Sequence, residues 1–159
     1  MSLIYVETTV WSFAFADDSP DYTADTLRFF ERCRAGDHDL RISGVVIKEI
    51  DRSDDSTRAA IRRLISEIAP IEIPLSREAE ALADAFLRLG AVPPSKPDDA
   101  AHVAAAFIGG CDVLGSWNFK HIANVRRAER FNAIAVLQGF SKRLIIASPA
   151  EVQYGEHQA

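Results

Sequence analysis

Cysteine is scarce in this sequence: only Cys33 and Cys111 occur among its 159 residues, and they do not form a CxxC pair. The sequence therefore lacks the cysteine spacing of a structural zinc site and the cysteine density of a disulfide-stabilised domain. We also expect no signal peptide, and the sequence has no apolar run as long as a membrane-spanning helix. We expect a cytoplasmic protein with two free thiols and no association with a membrane.

Positive charge is also limited, with 18 lysines and arginines against 23 acids and a formal net charge of −5. This balance argues against a protein that binds nucleic acid through a broad basic surface. It does not exclude a nucleic-acid enzyme, because a metal ion can bridge an acidic pocket to a phosphate. Arg126, Arg127 and Arg130 are candidates to guide an RNA backbone, although a solvated face is the commoner explanation of such a group.

Strand and helix signals alternate along the chain. Leu3–Val6 is a short apolar run that predicts a central strand, and Thr57–Ile68 has the i, i+3, i+4, i+7 apolar spacing of a helix. This alternation favours a parallel sheet with helices on both faces. The length fits one domain, which we place at residues 1–154, with a disordered tail at 155–159.

Two further segments are assigned from their apolar residues. A helix is predicted from about Tyr22 to Ala35, and Asn132–Leu137 and Leu144–Ile146 are interpreted as a late strand and an edge strand. The residues expected on the inner face of the helix are Leu27, Phe30 and Cys33.

Acidic residues lie within or directly after several of the predicted buried segments. Glu7 directly follows the first strand, Glu49 lies on the inner flank of the short helix Val45–Ile50, and Asp99 lies in the first turn of the helix that Pro97 begins. Each has an ordinary alternative, such as a solvated strand end, a surface glutamate or a helix cap. We nevertheless predict that the three carboxylates converge at the edge of the sheet where open α/β folds bind ligands.

Neighbouring polar residues are assigned supporting roles. Asp99 shares a helix face with apolar residues, so we assign metal ligation to Asp99 and capping or a supporting role to Asp98. Asn118 follows the predicted strand Val113–Gly115; it offers a neutral oxygen to a metal-bound water or a phosphate, or it holds its own turn. Thr8 and Ser116 are further candidates for support or substrate contact. His102 and His121 have no cysteine partner and no HxxxH-type spacing, which disfavours zinc.

Together, these segments resemble the motifs of PIN-domain proteins, in the order in which that family has them. The resemblance covers essentially the whole chain and departs from the family at Glu7, where Asp is usual, and at Asn118, where many members have a fourth Asp. The segments that carry it are Ile4–Val10, Val45–Ile50, Asp99–Ala104, Ser116–His121 and Ile145–Val152.

The resemblance implies a three-layer α/β/α fold with a central parallel sheet, Mg²⁺ or Mn²⁺ held by clustered acids, and hydrolysis of RNA phosphodiesters. Many bacterial members are VapC-type toxins that pair with an antitoxin and are commonly dimeric. We therefore expect an endoribonuclease that is the toxin of a type II toxin–antitoxin pair and forms a homodimer. Its expected catalytic residues are Glu7, Glu49, Asp99 and Asn118, of which the first three bind the metal.

Two alternatives remain. The departures at Glu7 and Asn118 leave open a catalytically weakened PIN-fold module that binds nucleic acid or protein. A phosphatase of the haloacid dehalogenase type also places an acid after its first strand. That chemistry requires an aspartyl nucleophile in a DxD pattern, which the sequence around Glu7 does not have.

Overall fold

The computed structural model describes residues 1–155, with side chains described as far as Val152. Five strands form one sheet in the order β3-β2-β1-β4-β5, and every neighbouring pair is parallel. Their bounds are β1 Ser2–Val6, β2 His38–Ser43, β3 Ile71–Ile73, β4 Val113–Gly115 and β5 Ile145–Ala147. The predicted α/β fold with a central parallel sheet is confirmed.

Helices connect the strands and flank the sheet, as parallel pairing requires. Their bounds are α1 Thr8–Phe13, α2 Pro20–Arg34, α3 Gly44–Ile50, α4 Asp55–Ile68, α5 Arg77–Arg88, α6 Pro97–Ile108, α7 Val125–Leu137 and α8 Pro149–Gly155. No helix within residues 1–155 has both the length and the apolar character needed to cross a membrane. Cys33 and Cys111 form no disulfide within residues 1–155.

The core is built around the central strand β1 and the alanine-rich helix α6. Ile4, Tyr5 and Val6 have no exposed surface, because β1 has a strand on each side and is covered on both faces. Ala104–Ala106 are also completely buried, and their small side chains let α6 pack closely against its neighbours. This buried helix carries Asp99 and His102 into the interior.

The assignment of Asn132–Leu137 to a strand was wrong, because these residues form the C-terminal part of α7. Phe131, Ile134 and Ala135 are buried at helical spacing, which a continuous apolar run does not distinguish from a strand. The inner face of α2 also differs from the prediction: Leu27 is 44% exposed, whereas Phe30 is buried as expected. The predicted tail begins at Gly155, the last residue of α8, and its remaining residues, 156–159, lie outside the described part of the chain.

Candidate active site

The candidate site lies where β1, β2 and β4 end. Because these strands are parallel neighbours, the segments that follow them leave the same edge of the sheet. Glu7 directly follows β1, and its backbone N–H donates to the carbonyl oxygen of Gly115 at the end of β4 (3.1 Å). Glu49 lies on α3, directly after β2, and Asp99 lies in the first turn of α6.

The carboxylate of Glu7 is buried, and its hydrogen bonds connect the start of α1 to the loop that follows β4. It is the N-cap of α1: its Oε1 accepts a hydrogen bond from the backbone N–H of Thr9 (2.9 Å), and also accepts from the Thr9 hydroxyl and the Ser116 hydroxyl (3.0 Å). The Thr9 hydroxyl in turn accepts from the backbone N–H of Trp117 (2.9 Å). Burial raises the pKa of Glu7, although the positive charge of His102 and these hydrogen bonds oppose the rise.

His102 lies among the three acids. Its Nε2 atom contacts Oε1 of Glu49, and the Thr8 hydroxyl donates to the same Glu49 oxygen (2.7 Å). On the other side of the ring, Nδ1 is hydrogen-bonded to the Tyr5 hydroxyl (2.8 Å). Burial alone would lower the pKa of His102, but the hydrogen bond to Glu49 and the charges of Glu7, Glu49 and Asp99 raise it above its ordinary value.

Glu49 and Asp99 face a cleft of about 290 Å³. Asn118 and His121 also line this cleft, with Lys96 and Arg52 adding positive charge. Burial raises the pKa of Asp99, as does the negative charge of Glu49, while His102, Lys96 and a hydrogen bond from Asn118 act against the rise. The Oδ1 atom of Asn118 accepts from the backbone N–H of His121 (3.0 Å), so this side chain holds its own turn as well as contacting Asp99.

Asp98 also lines this cleft, and it pairs with cations on α3 and just after it. Its carboxylate contacts Lys48 Nζ (2.8 Å) and Arg52 Nη1 (3.3 Å). Burial opposes the effect of these pairs, but they lower the pKa of Asp98 overall. Asp98 therefore ties the start of α6 to α3 through ion pairs.

The donor atoms of this site have the chemistry that Mg²⁺ or Mn²⁺ prefers, since they are carboxylate and amide oxygens. Within residues 1–155, however, no group of three or more His, Cys, Asp or Glu side chains is arranged to hold an ion. Glu49 and Asp99 line the cleft, whereas Glu7 is not among its lining residues and is only 2% exposed. Mg²⁺ usually keeps several waters and takes one or two carboxylates, so the residues fit a hydrated ion better than an ion enclosed by three acids.

Sequence reasoning considered His102 only as a zinc ligand and missed its contacts with the acids. The sequence did indicate that His102 lies near Asp99, because it follows Asp99 by three residues and therefore lies on the same helix face. Thr9 was missed as well; a hydroxyl two residues after an N-cap acid gave no indication that it also bonds to the loop after β4.

No protein-family model and no curated protein matches the sequence. Among solved structures, a chain in the crystal structure of VapBC2 from Rickettsia felis, bound to a DNA fragment from their promoter, has a similar fold. The TM-score is 0.55, and the match covers 92% of this chain and 98% of that chain. The two sequences are 16% identical, so the likeness concerns the fold.

Proposed function

We propose that this protein is a divalent-metal-dependent endoribonuclease with a PIN-like fold, and that it is the toxin of a type II toxin–antitoxin pair. The observation that carries the proposal is the cleft at the end of the sheet, whose lining includes Glu49, Asp99 and Asn118. The fold shared with a chain of a VapBC complex supports the same class of function.

In this proposal Glu7, Glu49 and Asp99 hold one Mg²⁺ or Mn²⁺, directly or through its water molecules. Glu49 and Asp99 act from the cleft, and the buried Glu7 acts from behind it. When bound, the ion neutralises charge on the phosphate and lowers the pKa of a coordinated water.

The remaining residues orient these acids and the substrate. Thr8 holds the Glu49 carboxylate and Ser116 holds that of Glu7, through the hydrogen bonds described above. Asn118 holds the Asp99 carboxylate through a hydrogen bond. Lys96, on the rim of the cleft, is placed to attract the phosphodiester.

Cleavage of a single-stranded RNA in Mg²⁺ and in EDTA tests the proposal. The wild type should cleave only with the metal, and Asp99→Asn should lose about 100-fold or more of the rate, since changing even a residue that only orients a metal ligand costs about 10–100-fold. Asp84→Asn is the matched control, because Asp84 is exposed on α5 and pairs only with Arg88 among the described residues. Equal activity of the wild type and Asp99→Asn would defeat the proposal.

A second candidate is a PIN-fold module that has lost turnover and binds nucleic acid or protein. It is favoured by the position of His102, because a buried imidazole with a raised pKa already offsets the charge of the acids. Calorimetric titration with Mg²⁺ separates the candidates, since a site that has lost catalysis should bind the ion poorly.

We propose an antitoxin protein as the partner, because the solved structure with the similar fold is a VapBC2 complex. A homodimer and action in the cytoplasm belong to the same proposal. Co-expression with a neighbouring gene for a small DNA-binding protein, followed by co-purification and light scattering, measures both the pairing and the oligomeric state. A monomer that does not co-purify with that protein would contradict this part of the proposal.

A further inference from the structure

A second and larger cleft, of about 570 Å³, lies at the start of α7. Gly90, Asn124 and Val125 form part of its lining. All the charged residues that line it are positive: Lys120, Arg126, Arg127 and Arg130. In a protein with a net charge of −5, such a concentration of one sign requires a reason beyond composition.

These four cations are not neutralised by carboxylates within the described part of the chain. Most of the other arginines and lysines form ion pairs, for example Arg34 with Glu67 and Lys142 with Asp112. None of the four forms one among residues 1–155. A solvated helix face would turn such charges outward separately, whereas here they line one concavity.

Part of this cleft is held in place before any ligand binds. The Arg127 guanidinium donates to the carbonyl oxygen of Ala91 (2.8 Å). Asn124 caps α7 by accepting from the backbone N–H of Arg127 (2.9 Å), and its amide donates to the carbonyl oxygen of Phe119 (2.7 Å). The loop before α7 and the first turn of the helix are thus fixed relative to each other, which reduces the entropy lost on binding.

The basic cleft is adjacent to the acidic one through Lys120 and His121. Lys120 lines the basic cleft and His121 lines the acidic cleft. Burial lowers the pKa of His121, and so do the charges of Lys120, Arg127 and Lys96. Cations of both clefts therefore lower the pKa of the His121 imidazole.

We propose that the basic cleft binds the phosphates of a single-stranded RNA whose scissile phosphodiester lies in the acidic cleft; the second clause rests on the proposed function. Arginines suit this role, because the guanidinium binds phosphate with two parallel hydrogen bonds. The cleft, of about 570 Å³, is in the range that holds a small molecule, which is large enough for a short stretch of a single strand.

Fluorescence anisotropy with a labelled single-stranded RNA of about 12 nucleotides, in EDTA so that it is not cleaved, measures the binding. The test variant is Arg126→Gln/Arg130→Gln, because both side chains are exposed, so that their replacement should leave the fold intact. The control is Arg63→Gln/Arg77→Gln, which removes the same charge from exposed positions elsewhere.

The test variant should raise the dissociation constant about tenfold, and it should reduce the slope of log K against log salt by about 1.4, or about 0.7 for each lost phosphate contact. The control should change neither quantity. In the cleavage assay the same test variant should raise KM about tenfold, since uniform binding is lost, and leave kcat unchanged.

Unchanged RNA affinity and salt slope in the test variant would overturn the proposal, even if Asp99-dependent cleavage is found. Tighter binding of the wild type to duplex DNA than to single-stranded RNA would also overturn it. If no RNA is cleaved but the test variant still loses affinity, the RNA-binding role of the cleft is supported and the proposed nuclease fails.

Discussion

The Nε2 atom of His102 contacts Oε1 of Glu49, and the imidazole has no exposed surface. The fold therefore places an imidazole among Glu7, Glu49 and Asp99, and the hydrogen bond to Glu49 and the charges of these acids raise its pKa. This arrangement lets the acids remain close together without an ion, because the imidazole offsets part of their repulsion.

Replacing His102 by Asn should destabilise the metal-free protein by about 2 kcal/mol, because Glu49 loses its partner. This loss of stability is smaller than the loss expected for a fully buried ion pair, because the Glu49 side chain is a quarter exposed. Chemical denaturation at several pH values, with EDTA present, measures the loss.

The pH dependence of this loss has a defined sign. The raised pKa of His102 gives a stabilisation that is complete below its ordinary value of 6.5 and is lost as the pH rises through the raised pKa. Burial of Glu49 is outweighed by its bonds to His102 and Thr8, and the resulting lowered pKa gives a stabilisation present above 4.5 and lost on acidification. The cost of His102→Asn should therefore be largest between pH 4.5 and 6.5, and a cost that does not vary with pH would contradict the assigned pair.

Replacing Glu7 by Gln should stabilise the metal-free protein at neutral pH by about 0.5–2 kcal/mol, because an amide avoids the cost of burying a charge and its oxygen can keep the three accepted hydrogen bonds. Since burial raises the pKa of Glu7, the cost of the charge is present above the raised pKa and disappears as the pH falls below 4.5. Thermal unfolding should show the gain shrinking on acidification. Glu80→Gln, on the exposed face of α5, should show no such trend.

Mg²⁺ should raise the melting temperature of the wild type by about 5–10 °C at a concentration 100 times its dissociation constant, because only the folded state binds it. Asp99→Asn and Glu49→Gln should abolish most of this shift, and Asp84→Asn should retain it. A full shift in both Asp99→Asn and Glu49→Gln would place the ion elsewhere. The size of the shift in Glu7→Gln measures the contribution of the buried acid.

Gly109 ends α6 at a point where a larger residue does not fit. A Cβ atom at this position would overlap the Cδ1 atom of Ile73 on β3, so Gly109→Ala should destabilise the protein by about 1–3 kcal/mol. Adding Ile73→Val, which removes Cδ1, should restore part of the loss in a double-mutant cycle. At Gly44 a Cβ would meet only ordinary contacts, so Gly44→Ala should not respond to Ile73→Val.

The sheet was predictable because its strands are short apolar runs between helices, and the edge strand predicted at Leu144–Ile146 corresponds to β5. Helix α1 was not predicted, because its six residues carry no apolar period and its cap is the acid that ends β1. The apolar content of Asn132–Leu137 led to the wrong prediction of a strand, although the buried residues of this segment have helical spacing.

Glu7, Glu49 and Asp99 could be predicted as site residues because each lies in or next to a buried segment of the sequence. Which of these acids face the cleft could not be predicted, because the answer depends on the directions of side chains from three separate segments. The contact between Glu49 and His102 joins residues far apart in the chain, so no local pattern indicates it. The basic cleft was only partly visible, as three arginines whose common concavity depends on the packing of α7 against the end of α5.

The hydroxyl of Thr9 donates to Glu7 and accepts from the backbone of Trp117. Only a side chain that both gives and receives a hydrogen bond can occupy this position, so serine is tolerated there whereas valine, of almost the same shape, breaks two connections at once. With valine, the first strand and the fourth would lose a shared anchor at their ends, and the segment carrying Asn118 would be free to shift relative to the acid that caps α1.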